Sequence, residues 1–182
     1  MYQHRVIVNI QELNKRGASL PAILSPLTSR GFRLGFKPRT TSQLFELSVF
    51  DGTTQCAGRQ LFSTFVKNVA ASYTERWQRH ADYYYLCQAY LHLYRIENCG
   101  SDLRELLLLH CDPNLPLGEK DNLYKRSTHL HVEISEDPLP RAHLCLSIGD
   151  PESCIESISS LSRTFQNAVV MLRNEVLERY KN

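Results

Sequence analysis

The sequence predicts an α+β fold: an antiparallel sheet, meandering in its C-terminal half, with a central helix and a long C-terminal helix on one face. Three observations lead there. Residues 83–148 alternate apolar and polar side chains between loop-rich breaks, the period of strands. Residues 58–80 and 155–176 repeat apolar residues every three or four positions, the period of helices. The length of 182 residues, 42% hydrophobic and 22% charged, suits one domain over 1–182, within which residues 1–55 could form a small basic N-terminal lobe. This composition excludes intrinsic disorder, collagen-like repeats and coiled-coil fibres.

The elements follow in order. Arg5 to Ile10 alternates Val6, Val8 and Ile10 against Arg5, Ile7 and Asn9 and reads as a strand. Asn14 to Ser19, with Gly17, reads as a loop. Ser19-Leu20-Pro21 suggests a helix start, and Gly31 its stop. Phe32, Leu34 and Phe36 form a second strand, Pro38 to Ser42 a turn, Gln43 to Phe50 a third strand, and Asp51-Gly52 the turn after it. Phe62, Phe65, Val66, Val69, Tyr73 and Trp77 mark the central helix, from about Gly58 to His80. Four strands follow, over 84–96, 103–111, 127–134 and 142–148. The close is a helix with Asp150 as N-cap, Pro151 in its first turn and an apolar stripe from Ile155 to Val176, reaching Tyr180.

No apolar segment approaches the roughly 20 residues of a membrane span, and the N-terminus does not read as a signal peptide. The expectation is a cytoplasmic protein with no membrane partner. The six cysteines lack a C-x-x-C pair, and reduced, mostly buried thiols are expected.

The net charge of +2 conceals an asymmetry. Residues 1–80 hold eleven Lys/Arg against four Asp/Glu, or +7; the remainder hold ten against fifteen, or −5. A basic half suits a polyanion, either RNA or DNA, or an acidic protein partner. Within it, Arg30, Arg33, Lys37 and Arg39 interleave with Phe32 and Phe36, the mixture that grips phosphate and stacks on bases.

A histidine-bearing face is the sharpest local feature. Alternation places His129, His131 and Glu133 on one face of a strand, and His143, Cys145 and Ser147 on one face of the next. An even register, His129 opposite Cys145 and His131 opposite His143, brings them together; an odd register separates them. Gln88, Tyr90, His92 and Tyr94 share a face upstream and extend the candidate nucleic-acid surface. His129, His131 and His143 are the candidate catalytic residues, serving as general acid and base on a phosphodiester. The same three with Cys145 are the candidate zinc ligands. The simplest explanation of the pattern is an ordinary half-exposed sheet face, on which histidine and tyrosine are common amphipathic residues.

Two hairpin-joined strands, a strand with His129-Leu130-His131-Val132, a strand with Arg141-Ala142-His143-Leu144 and a closing helix resemble small, mostly uncharacterised bacterial proteins found beside toxin–antitoxin and phage-defence genes. Thr128 stands where those proteins often carry Pro. The resemblance covers roughly the C-terminal half and implies a defence-associated, nucleic-acid-related role. Three functions follow as expectations: a nucleic-acid-associated protein, such as an accessory subunit of such a system; an RNase-like or metal-dependent hydrolase; or a non-catalytic interaction module, homo- or hetero-oligomeric through the C-terminal helix.

Overall fold

The computed structural model describes residues 6–29, 33–41, 43–97, 102–111, 128–133, 141–145 and 156–181. The chain opens with a short strand, β1 (Ile7–Val8), and enters helix α1 (Ile10–Leu24) at once. The strand expected over 5–10 is thus cut short, and the loop expected over 14–19 is helical. A capping box is the cause: Asn9 Oδ1 accepts the Glu12 N–H at 2.9 Å and Glu12 Oε2 accepts the Asn9 N–H at 2.8 Å. Leu13, Arg16, Leu20, Ile23 and Leu24 form the buried face. The helix gives way to a 3-10 turn at Ser25–Leu27, where Pro26 cannot continue it, rather than running to Gly31.

Strand β2 (Gly35–Thr40) lies at one edge of the sheet and pairs with β3 (Leu44–Phe50). Pro38, expected to open a turn, sits inside β2 instead. An edge strand tolerates its missing N–H and is shielded from further pairing by it.

The central helix expected over 58–80 is replaced by strands. After β4 (Gln55–Cys56), these are β5 (Arg59–Gln60), β6 (Phe62–Ser63) and β7 (Val69–His80). From Ala71 the side chains alternate: Ala71, Tyr73, Glu75 and Trp77 are buried, and Ser72, Thr74, Arg76 and Gln78 face outward. An acidic residue in the inward row broke the apolar alternation that marks a strand.

That inward carboxylate is matched from α1. Arg16 Nε and Nη2 donate to Glu75 Oε1 at 2.9 and 2.7 Å, with both side chains at 0% exposure. Tyr73 Oη donates to the same oxygen at 2.5 Å, and Trp77 Nε1 donates to Oε2 at 3.1 Å. Burial opposes the Arg16 charge, but Glu75 and Tyr73 outweigh it and raise the guanidinium pKa above its ordinary value. Burial, reinforced by Glu75, holds the Tyr73 pKa well above the ordinary phenol.

Strands β8 (Tyr83–Glu97), β9 (Asp102–Cys111), β10 (Thr128–Glu133) and β11 (Arg141–Cys145) form the expected antiparallel meander. The described sheet has nine strands, ordered β11-β10-β9-β8-β7-β3-β2, with β1 on β8 and β6 on β7. Two one-residue register shifts, β-bulges, punctuate it. Arg76 pairs Gln88 but Trp77 pairs Leu86, so Cys87 is extra; Leu93 pairs Leu107 but Tyr94 pairs Glu105, so Leu106 is extra. The first bulge switches faces along β8: Tyr84 and Leu86 enter the core before it, Ala89, Leu91 and Leu93 after it.

Helix α2 (Ile158–Met171) begins at the N-cap Ser157, which forms a capping box with Ser160. The cap expected at Asp150 and the first turn at Pro151 lie outside the described residues. The helical course continues through a π turn at Leu172–Val176 and a 3-10 turn at Leu177–Lys181. Within α2, Ser162 Oγ donates to the Ile158 carbonyl at 2.7 Å. Both helices cover one sheet face. Phe165 meets Tyr73 edge-on at 5.1 Å, and Ser162 Oγ accepts from Arg16 Nη1 at 2.7 Å. No helix among the described residues is long and apolar enough to cross a membrane. Cys56 and Cys111 are buried and Cys87 is half-buried; burial raises the Cys87 thiol pKa.

Candidate nucleic-acid interface

The sheet face away from the helices carries the site. Alternation sends Glu46 and Ser48 of β3, Ser72, Thr74 and Arg76 of β7, and Gln88, Tyr90 and His92 of β8 to this side. The β4–β5 hairpin rises at one end as a wall. It turns through Ala57 at φ 49° and Gly58 at φ 73°, the two left-handed residues of a tight hairpin turn whose twist matches its strands. Cys56 and Leu61 pack there on Ala70 and Tyr94 in a second small core. Sheet and hairpin enclose an open cavity of about 830 Å³, lined by Arg39, Arg59, Arg76, Tyr90, His92 and Tyr94 among others.

Aromatic rings form a ladder along this face. Tyr94 and His92 stack at 5.4 Å with planes 6° apart. His92 meets Tyr90 edge-on at 6.1 Å, and Tyr90 stacks on His110 at 4.1 Å and 11°. Arg59 Nη1 donates to Tyr94 Oη at 2.8 Å, with the guanidinium carbon 5.6 Å from the Tyr94 ring centre. Burial raises the Tyr94 pKa, more than Ser72 and Arg59 lower it, so the phenol stays protonated near neutral pH. His92 Nδ1 lies 3.0 Å from Glu105 Oε2, both side chains about one-fifth exposed. Arg76 Nε pairs with Glu46 Oε2 at 2.9 Å.

The face continues past Gln88. Leu44, Gln78, Tyr85 and Ile7 pair successively across four strands. His80 meets Tyr85 edge-on at 6.0 Å, and Tyr83 is 54% exposed. Aromatic surface thus flanks the arginines at both ends.

Of the residues expected to contact nucleic acid, Arg39, Tyr90, His92 and Tyr94 line the cavity. Lys37 shares the β2 edge, pairs with Ser48 and is exposed. Arg33 is exposed just before β2, and Arg30 lies outside the described residues. The candidate catalytic and zinc-binding residues obey the even register: His129 pairs Cys145 and His131 pairs His143. On the other side His129 pairs His110 and His131 pairs Leu108, so these positions adjoin the ladder. The side-chain cluster of His129, His131, His143 and Cys145 itself lies outside the described residues. Among the described residues no three His, Cys, Asp or Glu side chains are grouped to hold a metal ion.

Sequence reasoning missed Arg59 and Arg76, which the expected central helix hid, and Glu105. The signal was present in Tyr73-x-Glu75-x-Trp77, which alternates as a strand does once the acid is allowed an inward partner. No protein-family model, curated protein or solved structure matches this chain.

Proposed function

We propose that this chain is a nucleic-acid-associated protein that holds a single strand on the open face of its sheet. The observation that carries this reading is the co-location of Arg39, Arg59 and Arg76 with the Tyr94–His92–Tyr90–His110 ladder around one concave surface. Arginine neutralises phosphate, while the part-exposed rings of Tyr90, His92 and His110 accept unstacked bases, which a duplex does not offer. A defence-associated setting, implied by the resemblance of the C-terminal strands, belongs to the same proposal.

Fluorescence anisotropy with labelled single-stranded RNA and DNA tests it. Three arginine–phosphate contacts predict a slope of log K against log salt of about −2, at about −0.7 per contact on a single strand. Arg39→Gln lowers the slope by about 0.7, and a duplex of the same sequence binds more weakly. Salt-insensitive binding, or none at low salt, overturns the proposal.

A further inference from the structure

We infer that the open face is a metal-free RNA-cleaving site in which His92 is the general base and His110 the general acid. This rests on the reading of that face as a single-strand binding surface. The geometry supplies each part. A histidine acts as a base when one ring nitrogen is fixed by a carboxylate and the other faces the reactant. The His92–Glu105 contact of 3.0 Å through Nδ1 is that arrangement. It commits the neutral ring to carrying its proton on Nδ1, leaving the Nε2 lone pair as the base. His92 lines the cavity.

The second histidine follows from the register. His92 pairs with Leu108, and His110 is two residues further along β9, opposite Tyr90. His92 and His110 are therefore diagonal neighbours on one face, on the order of 7–8 Å apart along the backbone. That separation lets a phosphodiester sit with its 2′-hydroxyl toward one ring and its 5′-oxygen toward the other. Tyr90, stacked on His110 at 4.1 Å, fixes that ring. Arg59, held over Tyr94, supplies the positive charge that the developing phosphorane dianion requires.

The step balances without a co-reactant. His92 Nε2 takes the 2′-hydroxyl proton, the 2′-oxygen bonds to phosphorus, and the bond from phosphorus to the 5′-oxygen breaks. His110 in its protonated form gives its proton to that oxygen. The products are a 2′,3′-cyclic phosphate and a 5′-hydroxyl. The substrate class is single-stranded RNA; DNA lacks the attacking group. Glu105 is a positioning residue, since it acts through His92.

The experiment uses the full chain with a labelled RNA 12-mer, the matching DNA 12-mer and EDTA. The expected result is RNA cut to 2′,3′-cyclic phosphate ends and DNA bound but intact. At saturating RNA, where lost affinity does not enter, His92→Gln lowers the rate by about 10²- to 10⁴-fold. His110→Ala slows RNA cleavage similarly but spares uridine 3′-(4-nitrophenyl phosphate), whose leaving group needs no proton. The groups facing His92 are Glu105 from β9, Tyr90 and Tyr94 on its own strand, Ser72 and Thr74 from β7, and Arg59 from the hairpin. Glu105 is the one acid among these described groups, so Glu105→Gln lowers kcat more than it raises KM. Circular dichroism confirms that each variant is folded. RNA bound but uncut, cleavage abolished by EDTA, or full activity in folded His92→Gln overturns the inference and leaves the binding reading standing. Failure to bind either strand overturns the binding reading itself.

Discussion

Glu75→Gln isolates the buried ion pair at the heart of the fold. The substitution keeps the shape of the side chain and removes its charge, leaving Arg16 at 0% exposure with no counter-ion. Breaking a buried pair from one side costs about 3–5 kcal/mol, because the remaining charge keeps its desolvation penalty and loses its partner. The network makes the upper half of that range the expectation. Glu75 accepts from Arg16 twice, from Tyr73 and from Trp77, so the amide nitrogen of Gln must turn toward a donor. With a urea m-value of about 2 kcal/mol per molar, the unfolding midpoint falls by about 2 M. Trp77, the one tryptophan in the chain, reports unfolding from beside the substitution, and far-ultraviolet circular dichroism provides the independent probe. The paired variant Arg16→Met with Glu75→Leu removes both charges and loses less than Glu75→Gln alone, although Tyr73, Trp77 and Ser162 then lose partners. A midpoint shift below about 0.5 M for Glu75→Gln, or simple additivity of the two single losses, refutes the assignment of Arg16 and Glu75 as a desolvated, mutually dependent pair.

The other predictions concern a turn and a helix contact. Burial pushes the Asp51 pKa up, but N–H groups of Ser63, Thr54 and Thr53 and the Thr54 hydroxyl outweigh it and bring it down from 3.8 to about 2. A depressed carboxylate stabilises the fold above its unfolded pKa, so the contribution is complete above pH 5 and fades as pH falls from 4 through 2. Discounted for solvent contact, it is about 1 kcal/mol; Asp51→Asn should flatten that part of the stability–pH curve, and an unchanged curve refutes the capped turn. A methyl on Gly17 would lie 2.6 Å from Phe36 Cε2 and 3.2 Å from Leu47 Cδ2. The gain of about 1 kcal/mol in helix propensity offsets part of an overpacking cost of about 1–3 kcal/mol. Because Phe36 sits on an edge strand and can yield, Gly17→Ala should lose about 1 kcal/mol and Gly17→Leu about 3 by urea unfolding; stabilisation by Leu refutes the close approach of α1 to β2.

What was legible in the sequence followed from how each segment is buried. The four C-terminal strands are legible in their alternation and loop breaks, but their register is not, because 103–111 is apolar on both faces around Leu106 to Leu109 and β8 carries register shifts against both neighbours. The segment 69–80 was not, because its inward row contains Glu75 and its partner Arg16 lies 59 residues away. The first helix was hidden by alternation over Val6, Val8 and Ile10, although Asn9 and Glu12 spell its capping box. Tyr90, His92 and Tyr94 were placed on one face correctly, since alternation decides that locally. Arg59 and Glu105 were invisible as site residues because a hairpin wall and a bulge bring them there.

The bulges explain why the site is where it is. Each adds one residue and increases local twist, so the sheet curves where they occur. Cys87 on β8 and Leu106 on β9 bracket the stretch that carries Tyr90 and His92. The first bulge also reverses which residues face out. Without it, the alternation that buries Tyr84 and Leu86 would bury Tyr90 and His92 as well, and would turn Leu91 and Leu93 to water. The second resets β9 so that Glu105, rather than Leu106, pairs with Tyr94 and lies within reach of His92. Fold stability is served by the helix-covered face, where the main core is complete at 0% exposure for Leu47, Leu91, Leu109 and Phe165. Tyr94, at the end of the row, also serves stability, buried under the β4–β5 hairpin with Cys56, Leu61 and Ala70, whereas Tyr90, His92 and His110 are part-exposed on a face that neither helix covers. Two interruptions of an otherwise regular ladder bring that row and its carboxylate together.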